Sequence, residues 1–130
     1  MKLLRLDHIQ VLVEDIAQSV AYYQRLGLVL EGTLGEGKEI FLWNGDEESP
    51  VRFELHQVEK GTKLGVDHIA FSVEDVKEGY RALHAQGVEF EDGPLFQPLT
   101  GRNVATMRDS NGVGIQLAKK VGHGEYEDSL

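Results

Sequence analysis

Two histidines carry the clearest chemical signal in this chain, because the residues around them are the same. Asp7-His8-Ile9 recurs sixty residues later as Asp67-His68-Ile69. The agreement runs on: Val13-Glu14-Asp15 falls on Val73-Glu74-Asp75, Gly27 on Gly87 and Glu31 on Glu91. A repeat of this period means one supersecondary unit used twice, so the two imidazoles are expected to face one cleft. Phe53-Glu54-Leu55 and Ile115-Gln116-Leu117 are equivalent in the same way, each a polar residue between apolar ones. His8, Glu54, His68 and Gln116 thus form a candidate metal set. Two imidazoles, a carboxylate and an amide oxygen suit a divalent transition metal with water completing the shell. Ligation by N and O alone leaves Zn, Ni, Co, Mn and Fe open. The competing reading is a metal-free cleft in which these side chains bond to one another or to water. His56 shares the face of Glu54 and reads as a rim residue. His84 lies off its helix stripe and reads as solvated, and His123 has no assigned role.

The elements that must position these side chains follow from periodicity. Leu4 to Val13 alternates as a strand, with Ile9, Val11 and Val13 on one face and His8 on the other. Asp15 caps a helix whose stripe is Ile16, Val20, Tyr23 and Leu26, and Gly27 stops it. Strands are expected over Val29–Leu34, Glu39–Trp43 and Val51–Val58, with Asn44–Pro50 as an acidic loop. The second half repeats the order: a strand over Val66–Val73, a helix from Asp75 with Val76, Tyr80 and Leu83 inward, and a short strand over Val88–Glu91. Asp92–Gly101, with two prolines and two glycines, reads as a loop, and its Leu95 and Phe96 suggest a lid. Strands over Asn103–Arg108 and Val113–Ala118, joined by a turn over Asp109–Gly112 that carries the Asn-Gly hairpin signal, close the unit. Each half is strand, helix, then three strands, an α+β architecture. The connector Lys60–Lys63 is too short for an interdomain linker. One domain over residues 1–120 is expected, with modules at about 4–60 and 64–120 and an acidic, poorly ordered tail at 121–130.

Composition excludes several functions. The chain has no cysteine, which removes disulfides, thiolate metal sites and a cysteine nucleophile. A formal net charge of −9 with no basic run longer than Lys119-Lys120 argues against nucleic acid. No apolar run approaches the ~18 residues a membrane span needs, and Met1–Leu6 reads as the approach to a strand rather than a leader. A cytoplasmic location is the default expectation. An anionic substrate would need local arginines, and Arg5, Arg52, Arg102 and Arg108 are those on expected strands. Trp43, Arg52 and Phe96 are the candidate substrate contacts, with Phe41 adding to the apolar wall; core or interface packing is the alternative for the aromatics.

These motifs, with Arg108-Asp109-Ser110-Asn111-Gly112 leading into the last strand, resemble the vicinal oxygen chelate superfamily over Leu4 to Lys120. That superfamily includes glyoxalase I, methylmalonyl-CoA epimerase, extradiol dioxygenases and bleomycin-binding proteins. The resemblance implies paired βαβββ modules forming a cupped mixed sheet with helices on its outer face. It places metal ligands at His8, Glu54, His68 and Gln116. Similar enzymes carry a glutamate where this chain has Gln116, and an amide cannot accept a proton near neutral pH. Proton transfer would therefore fall to Glu54. The expected function is a glyoxalase-like, metal-dependent lyase or isomerase acting on a small oxygenated metabolite. The alternatives are a non-heme iron dioxygenase and a metal-free sequestering protein of the bleomycin-resistance type. A small-molecule ligand and a second copy of the chain, as a homodimer, are the expected partners.

Overall fold

The structure is a computed structural model and describes residues 1–121. Along the chain one order of elements occurs twice. The first set is β1 (Arg5–Val13), α1 (Ile16–Arg25), β2 (Val29–Leu34), β3 (Glu39–Trp43) and β4 (Arg52–Gln57). The second is β5 (Gly65–Ser72), α2 (Val76–Ala85), β6 (Phe90–Gln97), β7 (Arg102–Arg108) and β8 (Gly114–Lys120). This is the α+β fold of two βαβββ modules. By packing, the chain forms two compact units, Asp7–His68 and Met1–Leu6 together with the described chain from Ile69 on.

In the Asp7–His68 unit the strand order is β2-β3-β4-β1, with β1 and β4 parallel and the other pairs antiparallel. Helix α1 begins where expected. The Asp15 carboxylate accepts from the Gln18 backbone N–H at 3.0 Å, a cap contributing about 1 kcal/mol. It ends at Gly27, whose φ of +94° is open to glycine at little cost. Its inward residues Ile16, Val20 and Tyr23 pack on Val11, Val13, Leu42, Phe53 and Leu55. Leu42 and Leu55 are fully buried, each removing enough apolar surface from water to contribute roughly 2–3 kcal/mol. Strand alternation then sends His8, Trp43, Arg52 and Glu54 to the opposite face.

The second unit has the order β5-β8-β7-β6. Asp75 caps α2 by accepting from the Glu78 N–H at 3.0 Å. Val76, Tyr80 and Leu83 pack with Val73, Ala105 and Leu117. The opposite face holds a smaller cluster of Ala70, Val104 and Ala118, covered by Leu95. That corrects the expected loop and lid over Asp92–Gly101. Strand β6 runs through to Gln97, and only the turn before Gly101 is irregular. Prolines and glycines misled because β6 is the outermost strand, where a missing N–H removes no ladder bond, and because register shifts absorb the glycine. Leu95 is a half-buried residue packed against that cluster, and Phe96 is a half-buried strand residue paired with Asn103. The β7–β8 connection is the expected turn over Asp109–Gly112. Asp109 accepts from the N–H groups of Asn111 and Val113, both at 2.9 Å, and only Gly112 takes positive φ. Of the expected tail, Val121 is buried and its N–H donates to Gly101 at 2.8 Å; the rest lies outside the described residues.

Two outcomes follow. Gly93 has φ of +95°, and a Cβ there would sit 2.6 Å from the Val104 carbonyl oxygen and 2.8 Å from the Ala105 Cα. Backbone cannot yield cheaply, so Gly93→Ala should cost about 2–4 kcal/mol, read as a lowered urea midpoint. Tyr23 packs against Phe53 with ring centres 5.0 Å apart and planes tilted by 34°. Burial pushes its hydroxyl pKa up, with a smaller contribution from Tyr22. A raised folded-state value means that this stabilisation is present below the ordinary tyrosine range and is lost as pH rises through the folded value. Spectrophotometric titration should therefore show one late-ionising phenol that Tyr23→Phe removes.

Candidate metal centre

His8 lies on β1, Glu54 on β4 and His68 on β5, so all three stand on strands rather than loops, which limits positional error. The parallel β1–β4 register sets Gln10 against Glu54. His8, two residues earlier on the same face, then leans toward the Glu54 carboxylate. The His8 Nε2 lies 3.6 Å from Glu54 Oε2 and 3.1 Å from His68 Nε2. One ligand atom from each of the three residues can be chosen so that all lie within 4.8 Å of one another. Both imidazoles are buried.

The other ring nitrogens decide what this cluster is suited to hold. His8 Nδ1 is 2.6 Å from Asp7 Oδ2, and His68 Nδ1 is 3.0 Å from Asp67 Oδ2. A carboxylate oxygen accepts, so in each neutral ring the proton sits on Nδ1 and the Nε2 lone pair is bare. Two bare lone pairs 3.1 Å apart, with a carboxylate beside them, repel one another unless a cation lies among them. A proton shared between the rings would answer part of that demand. A divalent ion would answer all of it, because the third donor is anionic. The residues present therefore fit a divalent metal, with carboxylate–imidazole pairs behind both histidines.

Asp7 and Asp67 are the site residues that the sequence reading missed. Strand alternation assigns them the face opposite their histidines, which hid the side-chain contact. The available signal was that the duplicated element is Asp-His, not His alone.

The remaining candidates separate. Trp43 and Arg52 contact each other, with the Arg52 guanidinium carbon 5.1 Å from the ring centre. Gln116 lies on β8, and its amide N–H donates to the Thr106 hydroxyl at 3.2 Å. Phe96 lies on β6 of the second unit. His56 faces Glu39, with Nδ1 3.0 Å from its carboxylate, and the exposed His84 stacks on Tyr80 with the planes 8° apart.

Fold and site together describe a paired βαβββ protein with a two-histidine, one-carboxylate cluster on its strands. Residues 5–117 match the model of the Glyoxalase/Bleomycin resistance protein/Dioxygenase superfamily. The chain belongs to that superfamily. No curated protein matches it in sequence. Among solved structures it is similar to a variant of Streptomyces coelicolor methylmalonyl-CoA epimerase in complex with 2-nitronate-propionyl-CoA. That match has a TM-score of 0.76 at 23% identity and covers 93% of this chain and 100% of that one. The Mycobacterium tuberculosis methylmalonyl-CoA epimerase matches with a TM-score of 0.74 at 18% identity, covering 95% and 93%. The 2,3-dioxygenase LapB from Pseudomonas sp. KL28 matches with a TM-score of 0.74 at 24% identity, covering 94% of this chain and 43% of that one. At these identities the likeness is one of fold. No helix of the described chain is long and apolar enough to cross a membrane.

The carboxylate–imidazole pairs give a direct test. Asp7→Asn and Asp67→Asn should each weaken divalent-metal affinity about 10–100-fold, measured by competition with a chromophoric chelator. Asp7→Asn should be the more damaging, because its contact is shorter and its side chain only 9% exposed, against 25% for Asp67. Equal affinities in both variants and the parent chain would remove the orienting role.

Proposed function

We propose that this protein is a metal-dependent isomerase or lyase of the glyoxalase type. It would move a proton between adjacent carbons of a small metabolite that carries two vicinal oxygens. The observation that carries the reading is the convergence of the His8 and His68 Nε2 atoms with the Glu54 carboxylate, each ring backed by its own aspartate. His8, His68 and Glu54 would hold the ion, and Gln116 is the further candidate by its repeat equivalence to Glu54. When bound, a divalent ion lowers the cost of negative charge developing on the two substrate oxygens. In this reading one domain spans residues 1–120, and the protein works as a cytoplasmic homodimer.

The proton chemistry then rests on Glu54. Its carboxylate removes the proton from the carbon beside the carbonyl, holds it as a carboxylic acid, and returns it to the neighbouring carbon. As the π bond moves, the hydroxyl proton passes from one substrate oxygen to the other, so only C–H, O–H and π bonds change and the step balances without a further reactant. His8 and His68 keep their protons on Nδ1, bonded to Asp7 and Asp67, and stay out of the transfer. Gln116 is the informative departure. Epimerisation is most simply served by a proton acceptor on each face of the carbon, and an amide at Gln116 supplies none. The residue set therefore favours a shift along one face over inversion, although epimerases share the fold.

A second reading has its own support. Two histidines and one carboxylate also make the face used by non-heme iron oxygenases, and one protein of similar fold is a 2,3-dioxygenase.

Protein purified without chelator or affinity metal should contain about one divalent ion per chain by elemental analysis. In deuterated solvent it should exchange the proton beside a carbonyl in α-hydroxy aldehydes and ketones, followed by NMR. Glu54→Gln should lower that exchange by about 10²–10⁴-fold, and chelation should abolish it. Exchange that survives both treatments sinks the proposal. Bound iron with oxygen uptake on a catechol, and no exchange, would transfer the conclusion to the dioxygenase reading.

A further inference from the structure

The four strand arginines are not equivalent. Arg5 has the strand parity of Val11 and Val13, on the helix-covered side. Arg102 is buried and donates through Nη1 to the Thr100 carbonyl at 3.1 Å. Arg108 is tightly held, its Nε 2.6 Å from Glu91 Oε2 and its Nη1 3.0 Å from the Gly112 carbonyl. Arg52 alone among the four belongs to the same unit and the same strand face as Glu54, two residues before it on β4.

Arg52 is also oriented without being tightly bonded. Trp43 sits opposite it in the β3–β4 register and lies beneath its guanidinium. Its Nε and Nη2 reach the two oxygens of Glu31 at 3.3 and 3.5 Å. Charge-assisted bonds are usually nearer ~2.8 Å. Arg108 offers an internal standard, because its partner Glu91 is the repeat counterpart of Glu31 and sits at 2.6 Å. Glu31 takes two of the five N–H groups of Arg52, so three are not used by it. The side chain is only 20% exposed, which strengthens any ion pair it makes relative to one in open water.

We propose that Arg52 is a specificity-determining residue whose guanidinium binds a carboxylate of the substrate, with Trp43 stacked against it and Glu31 holding its orientation. This rests on the reading of His8, Glu54 and His68 as the reacting centre. It narrows the substrate class to a small acid with vicinal oxygens at one end and a carboxylate at the other. Trp43 lies one strand across and two residues along from Glu54. Strand spacing makes that roughly 8 Å, about the span of a five- or six-carbon 2-oxo dicarboxylate. A chain of net charge −9 offers such an anion few other footholds.

Trp43 is the single tryptophan of the chain, so its fluorescence reports from the ring under Arg52. Titration with 2-oxoadipate should give a saturable change. Converting the carboxylate far from the keto group to its amide should weaken binding at least about tenfold, the scale of a lost charge-assisted pair. Arg52→Gln should weaken 2-oxoadipate binding as much, and Arg52→Lys less, since it keeps the charge but not the planar fork. The dicarboxylate–amide comparison needs no variant, so it stands even if Arg52→Gln fails to fold. Running it on chelator-treated protein separates the two claims. Discrimination that persists while the untreated protein proves metal-free keeps Arg52 and sinks the metal-dependent function. Equal binding of acid and amide, or no fluorescence response to either, overturns the assignment of Arg52.

Discussion

The arrangement depends on one electrostatic constraint: two imidazole nitrogens are aimed at each other 3.1 Å apart while the other nitrogen of each ring faces an aspartate carboxylate. Asp7 and Asp67 produce the constraint by fixing the tautomers. The strands enforce it by fixing the face on which each histidine stands. Val11 and Val13 must stay against α1, and Val73 against α2. A one-residue slip of β1 or β5 would expose those residues and bury a charge. Core packing thus holds the histidines in an arrangement that is unfavourable without a cation.

The same logic explains which features were legible in sequence. The helices were read with their caps and stops because Asp15, Gly27, Asp75 and Gly87 act on backbone atoms within one turn. The histidine face followed from alternation against Val11 and Val13. Strand β6 was misread because Pro94 and Gly93 carry loop statistics, and only the position of the strand at the end of its sheet makes them tolerable. That position is a tertiary fact. Leu95 was taken for a lid for the same reason, since its partners Ala70, Val104 and Ala118 come from three other strands. The role of Asp7 and Asp67 was hidden by a rule that usually helps. Period-two alternation separates neighbouring side chains, yet a carboxylate can fold back to the ring beside it.

Duplication also explains how the two units differ. An ancestral half used twice would offer two carboxylates and two equivalent edge glutamates. The present chain keeps a carboxylate at Glu54 and has an amide at Gln116. It keeps glutamates at both Glu31 and Glu91 but supplies their arginines from different strands, Arg52 from β4 and Arg108 from β7. In the second unit the arginine is bonded to its glutamate at 2.6 Å and ties down the β7–β8 turn through Gly112. In the first, the pair is long and rests on an aromatic ring. The first unit thus holds both the remaining carboxylate and the loosely held cation, while in the second the corresponding arginine and glutamate tie down a turn.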